Sequence, residues 1–150
     1  MRAVLDVNVL IAAVLSANGA PAAAVRAWLD GAYELVVSPL VLEELERALR
    51  YPKLRRRVST SEARELVDLL GSAGDLRDDP QDPPRVVSAD PGDDYLVALA
   101  AATRSVIVSG DRHLLDLCED LPVYSPREFL EFLRTVDGDG EGRPGAGAGS

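Results

Sequence analysis

Six acidic residues and one amide carry the chemistry that this chain can offer. Asp6 interrupts an apolar run in "AVLDVNVLIAAV", with Asn8 two residues on; Glu43 and Glu44 sit side by side in "LVLEELERAL"; Asp93 and Asp94 close "ADPGDD"; and Asp111 stands in "SGDRH". An ionised carboxylate at the edge of a core is costly unless a cation or hydrogen-bond donors meet it. Carboxylates crowded together repel and protonate unless a positive ion neutralises them, so a cluster built from these residues is most simply a site for a hard divalent ion, Mg²⁺ or Mn²⁺. Each acid alone also has an ordinary use. Asp6, Asp93 or Asp94 suits a helix N-cap, Asp111 a turn, and the glutamate pair a solvated helix face.

The elements that must position these acids read as alternating strands and helices. "RAVLDV", "YELVVS", "SVIVSG" and "PVYS" are short, buried, β-branched segments, and amphipathic or apolar stretches separate them. Ser38–Pro39 and Ser125–Pro126 are helix starts with a hydroxyl cap and proline in the first turn; Thr60 or Ser61 opens the helix between them, and Gly31 ends an earlier one. "DLRDDPQDPPR" reads as a loop. The pattern implies an α/β fold, a three-layer α/β/α sandwich around a central parallel sheet. In such sheets ligands gather beyond the carboxyl ends of the strands, where Asp6 and Asp111 fall and to which Glu43 or Glu44 can point.

Size and charge narrow the function classes. The 150 residues suit one domain, residues 1–136, followed by a glycine-rich segment, 137–150, expected to be disordered. The lone Cys118 excludes an internal disulfide and a cysteine-based zinc cluster, and reads as a buried thiol. No signal peptide or membrane-spanning segment is recognisable, so a cytoplasmic protein with no membrane partner is expected. A net charge of −9 argues against a general polyanion binder. The charge is uneven, however: "RALRYPKLRRR" holds Arg47, Arg50, Lys53, Arg55, Arg56 and Arg57, six of the sixteen basic residues, as a phosphate-contacting surface or a solvated helix end.

"LDVNVLIAAVLS", "SPLVLEELERAL", "DPGDDYLVALAAATRSVIVSGDRHLL" and "VYSPREFLEFL" together resemble, in order and spacing, the PIN-domain ribonucleases, in particular the VapC-like toxins of bacterial toxin–antitoxin pairs, over residues 2–135. The resemblance implies metal-dependent RNA hydrolysis with Mg²⁺ or Mn²⁺, leaving a 5′-phosphate and a 3′-hydroxyl, a cognate antitoxin protein and a homodimer. It places the family acids on Asp6, Glu44 (six residues after Ser38), Asp93 (eighteen before Asp111) and Asp111. Asn8 and Ser109 become hydrogen-bonding supports, Asp94 a neighbour of the site, and Arg50, Lys53, Arg55, Arg56 and Arg57 contacts for RNA. Two departures stand out: Val7 replaces the usual hydroxyl residue between Asp6 and Asn8, and "DPGDD" replaces the commoner "DPDDN". His113 reads as a surface or structural residue. Two other classes compete, a non-catalytic module that binds antitoxin or RNA, and an aspartate-based phosphotransferase; Asn8 breaks the D-x-D that the latter requires, and no lysine follows the later strand.

Overall fold

The structure is a computed structural model that describes residues 1–81, 94–116 and 122–141. Five strands, β1 (Arg2–Leu5), β2 (Glu34–Val37), β3 (Asp75–Leu76), β4 (Val106–Val108) and β5 (Val123–Tyr124), form one sheet in the order β3-β2-β1-β4-β5, and every neighbouring pair is parallel. The helices are α1 (Val7–Leu15), α2 (Ala20–Leu29), α3 (Pro39–Leu49), α4 (Pro52–Arg55), α5 (Thr60–Ala73), α6 (Asp94–Thr103), α7 (Arg112–Leu115) and α8 (Pro126–Glu141). This is the expected three-layer arrangement. β1 is the middle strand, and the chain builds outward from it twice, first through β2 to β3 and then through β4 to β5. The strand order therefore reverses between β1 and β4, and in open parallel sheets that reversal opens a crevice at the carboxyl edge.

Burial explains why these segments pair. Ala3, Val4 and Leu5, Leu35 to Val37, and Ile107 and Val108 are buried, as strands covered by helices on both faces must be. α6 packs directly on β1 and β4 and is apolar nearly all round, with Leu96 to Ala100 buried. α1 packs on α2 and α3, α3 on α5, and α2 on α8, where the buried Phe129 ring meets Tyr33 edge to face at 4.9 Å. The Tyr33 hydroxyl donates to the Ala24 carbonyl at 2.7 Å, and burial pushes its pKa up. Among the described residues no single helix is long and apolar enough to cross a membrane.

Local rules set the helix ends. Ser38 Oγ accepts the Val41 N–H with Pro39 in the first turn, and Ser125 exchanges hydrogen bonds with Glu128 in a reciprocal capping box. The cap of α5 is Ser59, not Thr60 or Ser61: Ser59 Oγ accepts the Glu62 N–H at 3.0 Å and Glu62 Oε1 accepts the Ser59 N–H at 2.9 Å. Only from position 59 does a glutamate fall three residues on. The start of the "DLRDDPQDPPR" loop is instead a strand, β3, held by pairing with Val36 and Val37. α8 continues to Glu141, five residues past the expected end of the domain at 136; extending an existing helix adds a hydrogen bond for each residue fixed, which offsets the low propensity of its glycines. Cys118 and residues 142–150 lie outside the described residues.

Two glycines near the α5–β3 junction separate packing from propensity. A Cβ at Gly74 would stand 2.5 Å from the Leu70 carbonyl oxygen and 3.1 Å from Val37 Cγ2, whereas one at Gly71, within the helix, would meet only Leu42 Cδ1 at 3.8 Å. Gly74→Ala is expected to lower stability by about 1–3 kcal/mol and Gly71→Ala to raise it by roughly 0.5–1 kcal/mol. Thermal unfolding of the two variants should move Tm in opposite directions, by about 2–4 °C per kcal/mol for a chain of this size.

Candidate metal centre

Asp6 follows the last residue of β1 and is 4% exposed, where its backbone N–H continues the sheet by donating to the Val108 carbonyl of β4 at 2.9 Å. It is also the N-cap of α1. Its Oδ1 accepts the Asn8 N–H at 3.3 Å, and its carbonyl accepts the N–H groups of Val9 and Leu10. Its Oδ2 accepts a 2.7 Å hydrogen bond from the buried Ser109 hydroxyl. The capping and sheet-edge roles fix the carboxylate's direction before any ligand arrives.

Ser109 lies next to Asp6 because β1 and β4 are paired, with Leu5 opposite Val108. Its Oγ donates to Asp6 and accepts the Asp111 N–H at 2.9 Å, so one hydroxyl joins the two acidic positions. The half-buried Asp111 then opens α7, its carbonyl accepting from Leu114 and Leu115. Burial raises the Asp6 pKa above its usual value; the hydrogen bond from Ser109 and the backbone bond from Asn8 lower it, and the charge of Asp111 raises it again. The groups that act most strongly on Asp6 thus include a second carboxylate and no cation. Oxygen donors from two acids within electrostatic reach of each other, at a strand end, fit a small hard cation in their chemistry.

Beside these acids, Asn8, Val9, Ala12, Pro21, Gly110, Asp111 and Pro126 line a pocket of about 360 Å³. It occupies the crevice that the reversed strand order opens. A Cβ at Gly110 would meet nothing within 4 Å, so the approach to Asp111 is open. The support from Asn8 runs through its backbone, while its side chain is exposed on the pocket wall.

The other expected members of the site are placed differently. Glu44 is half-buried and Glu43 exposed, and both Glu44 oxygens are taken by Arg47 one turn further along α3. That i,i+3 pairing is one of several that "EELER" allows, and the sequence does not select it. Among the described residues no group of three or more His, Cys, Asp or Glu side chains lies close enough to hold an ion. Asp94 is half-buried in the first turn of α6, where its charge suits the helix dipole. Asp93 and the His113 side chain lie outside the described residues. Arg50, Lys53, Arg55, Arg56 and Arg57 are all exposed; Arg50 lies 4.0 Å from Glu46, and Arg50 and Arg55 reach the rim of a cleft of about 390 Å³ between α3 and α5, floored by Leu49, Val58, Ala63 and Val67.

Comparison with known proteins adds two findings. A family model described as PIN domain matches residues 2–113. The structure is similar to a solved structure of VapBC2 from Rickettsia felis bound to a DNA fragment from its promoter, with 13% identity and a TM-score of 0.60, over 83% of this chain and 98% of that one. No curated protein sequence matches the chain.

Desolvation of Asp6 has a signature in stability. A carboxyl whose folded pKa lies above its unfolded value binds more protons in the native state, so its contribution falls as pH rises from about 4 through the raised value, then stays constant. Asp6→Asn removes this dependence, although its amide cannot accept from both Ser109 and Asn8, a loss that is the same at every pH. In buffer free of divalent ions, the stability difference between Asp6→Asn and the wild type should shift in favour of the variant as pH rises above about 4 and then level off. Denaturant midpoints measured across pH test this, and a difference independent of pH contradicts it.

Proposed function

The chain belongs to the PIN-domain family, and from that premise we propose that it is a divalent-metal-dependent endoribonuclease, the toxin of a toxin–antitoxin pair, acting in the cytoplasm as a homodimer with a cognate antitoxin. The observation that carries the proposal is the buried Asp6 carboxylate at the point where the strand order reverses, joined through the Ser109 hydroxyl to the Asp111 backbone and within electrostatic reach of the Asp111 charge. The likeness to a VapBC complex supports the antitoxin partner through the shared fold.

In this reading Asp6 and Asp111 would hold Mg²⁺ or Mn²⁺, with Glu44 and Asp93 as the further donors. A bound ion supplies a water of lowered pKa and offsets charge on the phosphodiester. The protein's own groups do the rest. Ser109 keeps the Asp6 carboxylate oriented and accepts the Asp111 backbone N–H, which holds that residue at the same strand end. The pocket beside Asp111 admits a nucleotide next to the acids, with Asn8 on its wall. The exposed cations from Arg50 to Arg57 hold the phosphate backbone that the acidic remainder of the surface repels.

Incubating the purified protein with single-stranded and structured RNA in Mn²⁺ tests the proposal. The expected result is cleavage leaving 5′-phosphate ends, abolished by a chelator and reduced at least about 100-fold by Asp6→Asn. Mn²⁺ should also raise the Tm of the wild type, with a smaller rise for Glu44→Gln and Asp93→Asn. Antitoxin binding without cleavage of any RNA would instead indicate the non-catalytic module. Equal thermal shifts in the wild type and both variants would contradict the ligand assignment.

A further inference from the structure

Tyr51 joins α3 to α4 in the middle of the arginine-rich segment, and among the described residues it is the one aromatic side chain that is exposed, at 55%. Its backbone is pinned on both sides: its N–H donates to the Ala48 carbonyl at 3.2 Å, its own carbonyl accepts from Leu54 and Arg55 at 2.9 Å each, and Pro52 starts α4 directly after it. The ring is thus presented from a rigid corner rather than from a loose loop. Exposing an aromatic surface there forgoes burial that the cleft between α3 and α5 offers close by, which a purely structural tyrosine would use.

Two observations connect this corner to the candidate site. The Arg47 guanidinium, which grips Glu44, is also within electrostatic reach of the Tyr51 and Tyr95 hydroxyls, so Tyr51 stands one ion pair away from an expected ligand of the metal. Residues 47–57 hold six cations and no acid in a chain of net charge −9, and Arg50 and Arg55, on either side of Tyr51 in the chain, converge on one cleft rim. A fixed, exposed aromatic ring among guanidinium groups is the combination that unpaired nucleic acid uses: bases stack on the ring while phosphates meet the cations. A duplex, with its bases already stacked inside, gains nothing from the ring.

We infer that Tyr51 is a base-stacking residue that seats an unpaired nucleotide of single-stranded RNA beside the Glu44–Arg47 pair, with Arg50, Lys53 and Arg55 on the flanking phosphates. The inference rests on the ribonuclease reading and adds to it the residue on which an unpaired base is seated. It also gives Arg47 a second part, since the cation that holds Glu44 stands at the entrance the RNA must pass.

The test uses the full chain carrying Asp6→Asn, in which cleavage is expected to be at least about 100-fold slower, and a single-stranded RNA containing one 2-aminopurine. Stacking on Tyr51 quenches the probe. Adding Tyr51→Ala should weaken binding roughly tenfold and restore probe fluorescence in the bound state, Tyr51→Phe should retain both affinity and quenching, and Arg55→Ala should weaken binding while the bound probe stays quenched. Binding of a duplex of the same sequence should not respond to Tyr51. Affinity and quenching unchanged in Tyr51→Ala, with Arg55→Ala still weakened, would overturn the stacking role and leave the ribonuclease reading standing. Equal losses in Tyr51→Ala and Tyr51→Phe would overturn stacking in favour of the hydroxyl. Failure of the parent protein to bind any RNA at low salt would overturn both.

Discussion

A carboxylate that is almost fully buried at the end of the central strand is the constraint around which this molecule is arranged. Desolvation acts against the charged form of Asp6, and the neighbouring Asp111 acts against it again. Two donors offset part of that cost, the Ser109 hydroxyl and the Asn8 amide. Both depend on the sheet. Ser109 is in reach because β4 pairs with β1 on the side where the strand order turns back, and Asn8 is in reach because α1 starts directly after the strand. The Asp111 charge, within electrostatic reach, adds to a cost that a shared divalent cation would offset.

Much of this arrangement was legible in the sequence, for identifiable reasons. Strands buried on both faces carry continuous apolar runs, so β1, β2 and β4 announce themselves, and the Ser–Pro starts of α3 and α8 are local signals that depend on nothing distant. The acids at strand ends followed from the same reading. β3 was not legible, because a two-residue strand of sequence Asp–Leu has no pattern of its own and exists through its pairing with Val36 and Val37. The cap of α5 was misplaced by one residue among three consecutive hydroxyls, where Glu62 is the deciding neighbour. In the site, spacing said that Glu44 and Asp6 share a sheet edge; it did not say that Arg47 would hold Glu44, since a helix surface offers an acid several competing partners one turn away.

The uneven charge of the chain resolves an apparent conflict. A surface dominated by acids repels polyanions, yet the sheet edge must meet a phosphodiester if the acids are to act on one. Concentrating cations between α3 and α5 while leaving acids elsewhere permits both, because charges separated by more than a Debye length of about 8 Å at physiological salt are largely screened from one another. Affinity carried by a local cationic segment is also strongly salt-dependent. The Glu44–Arg47 pair lies at the junction of the two regions, where the cationic segment begins and the acidic edge ends.

The central claim is that Asp6 and Asp111 share a divalent ion. Crystals of the protein grown with Mn²⁺, with anomalous diffraction recorded to locate the metal, test it most directly. The account predicts one peak at the carboxyl end of β1 and β4, with oxygens of Asp6 and Asp111 at roughly 2.0–2.6 Å from it or joined to it through a coordinated water. Manganese bound elsewhere, with the Asp6 and Asp111 carboxylates still apart and the Ser109 bridge unchanged, would contradict it.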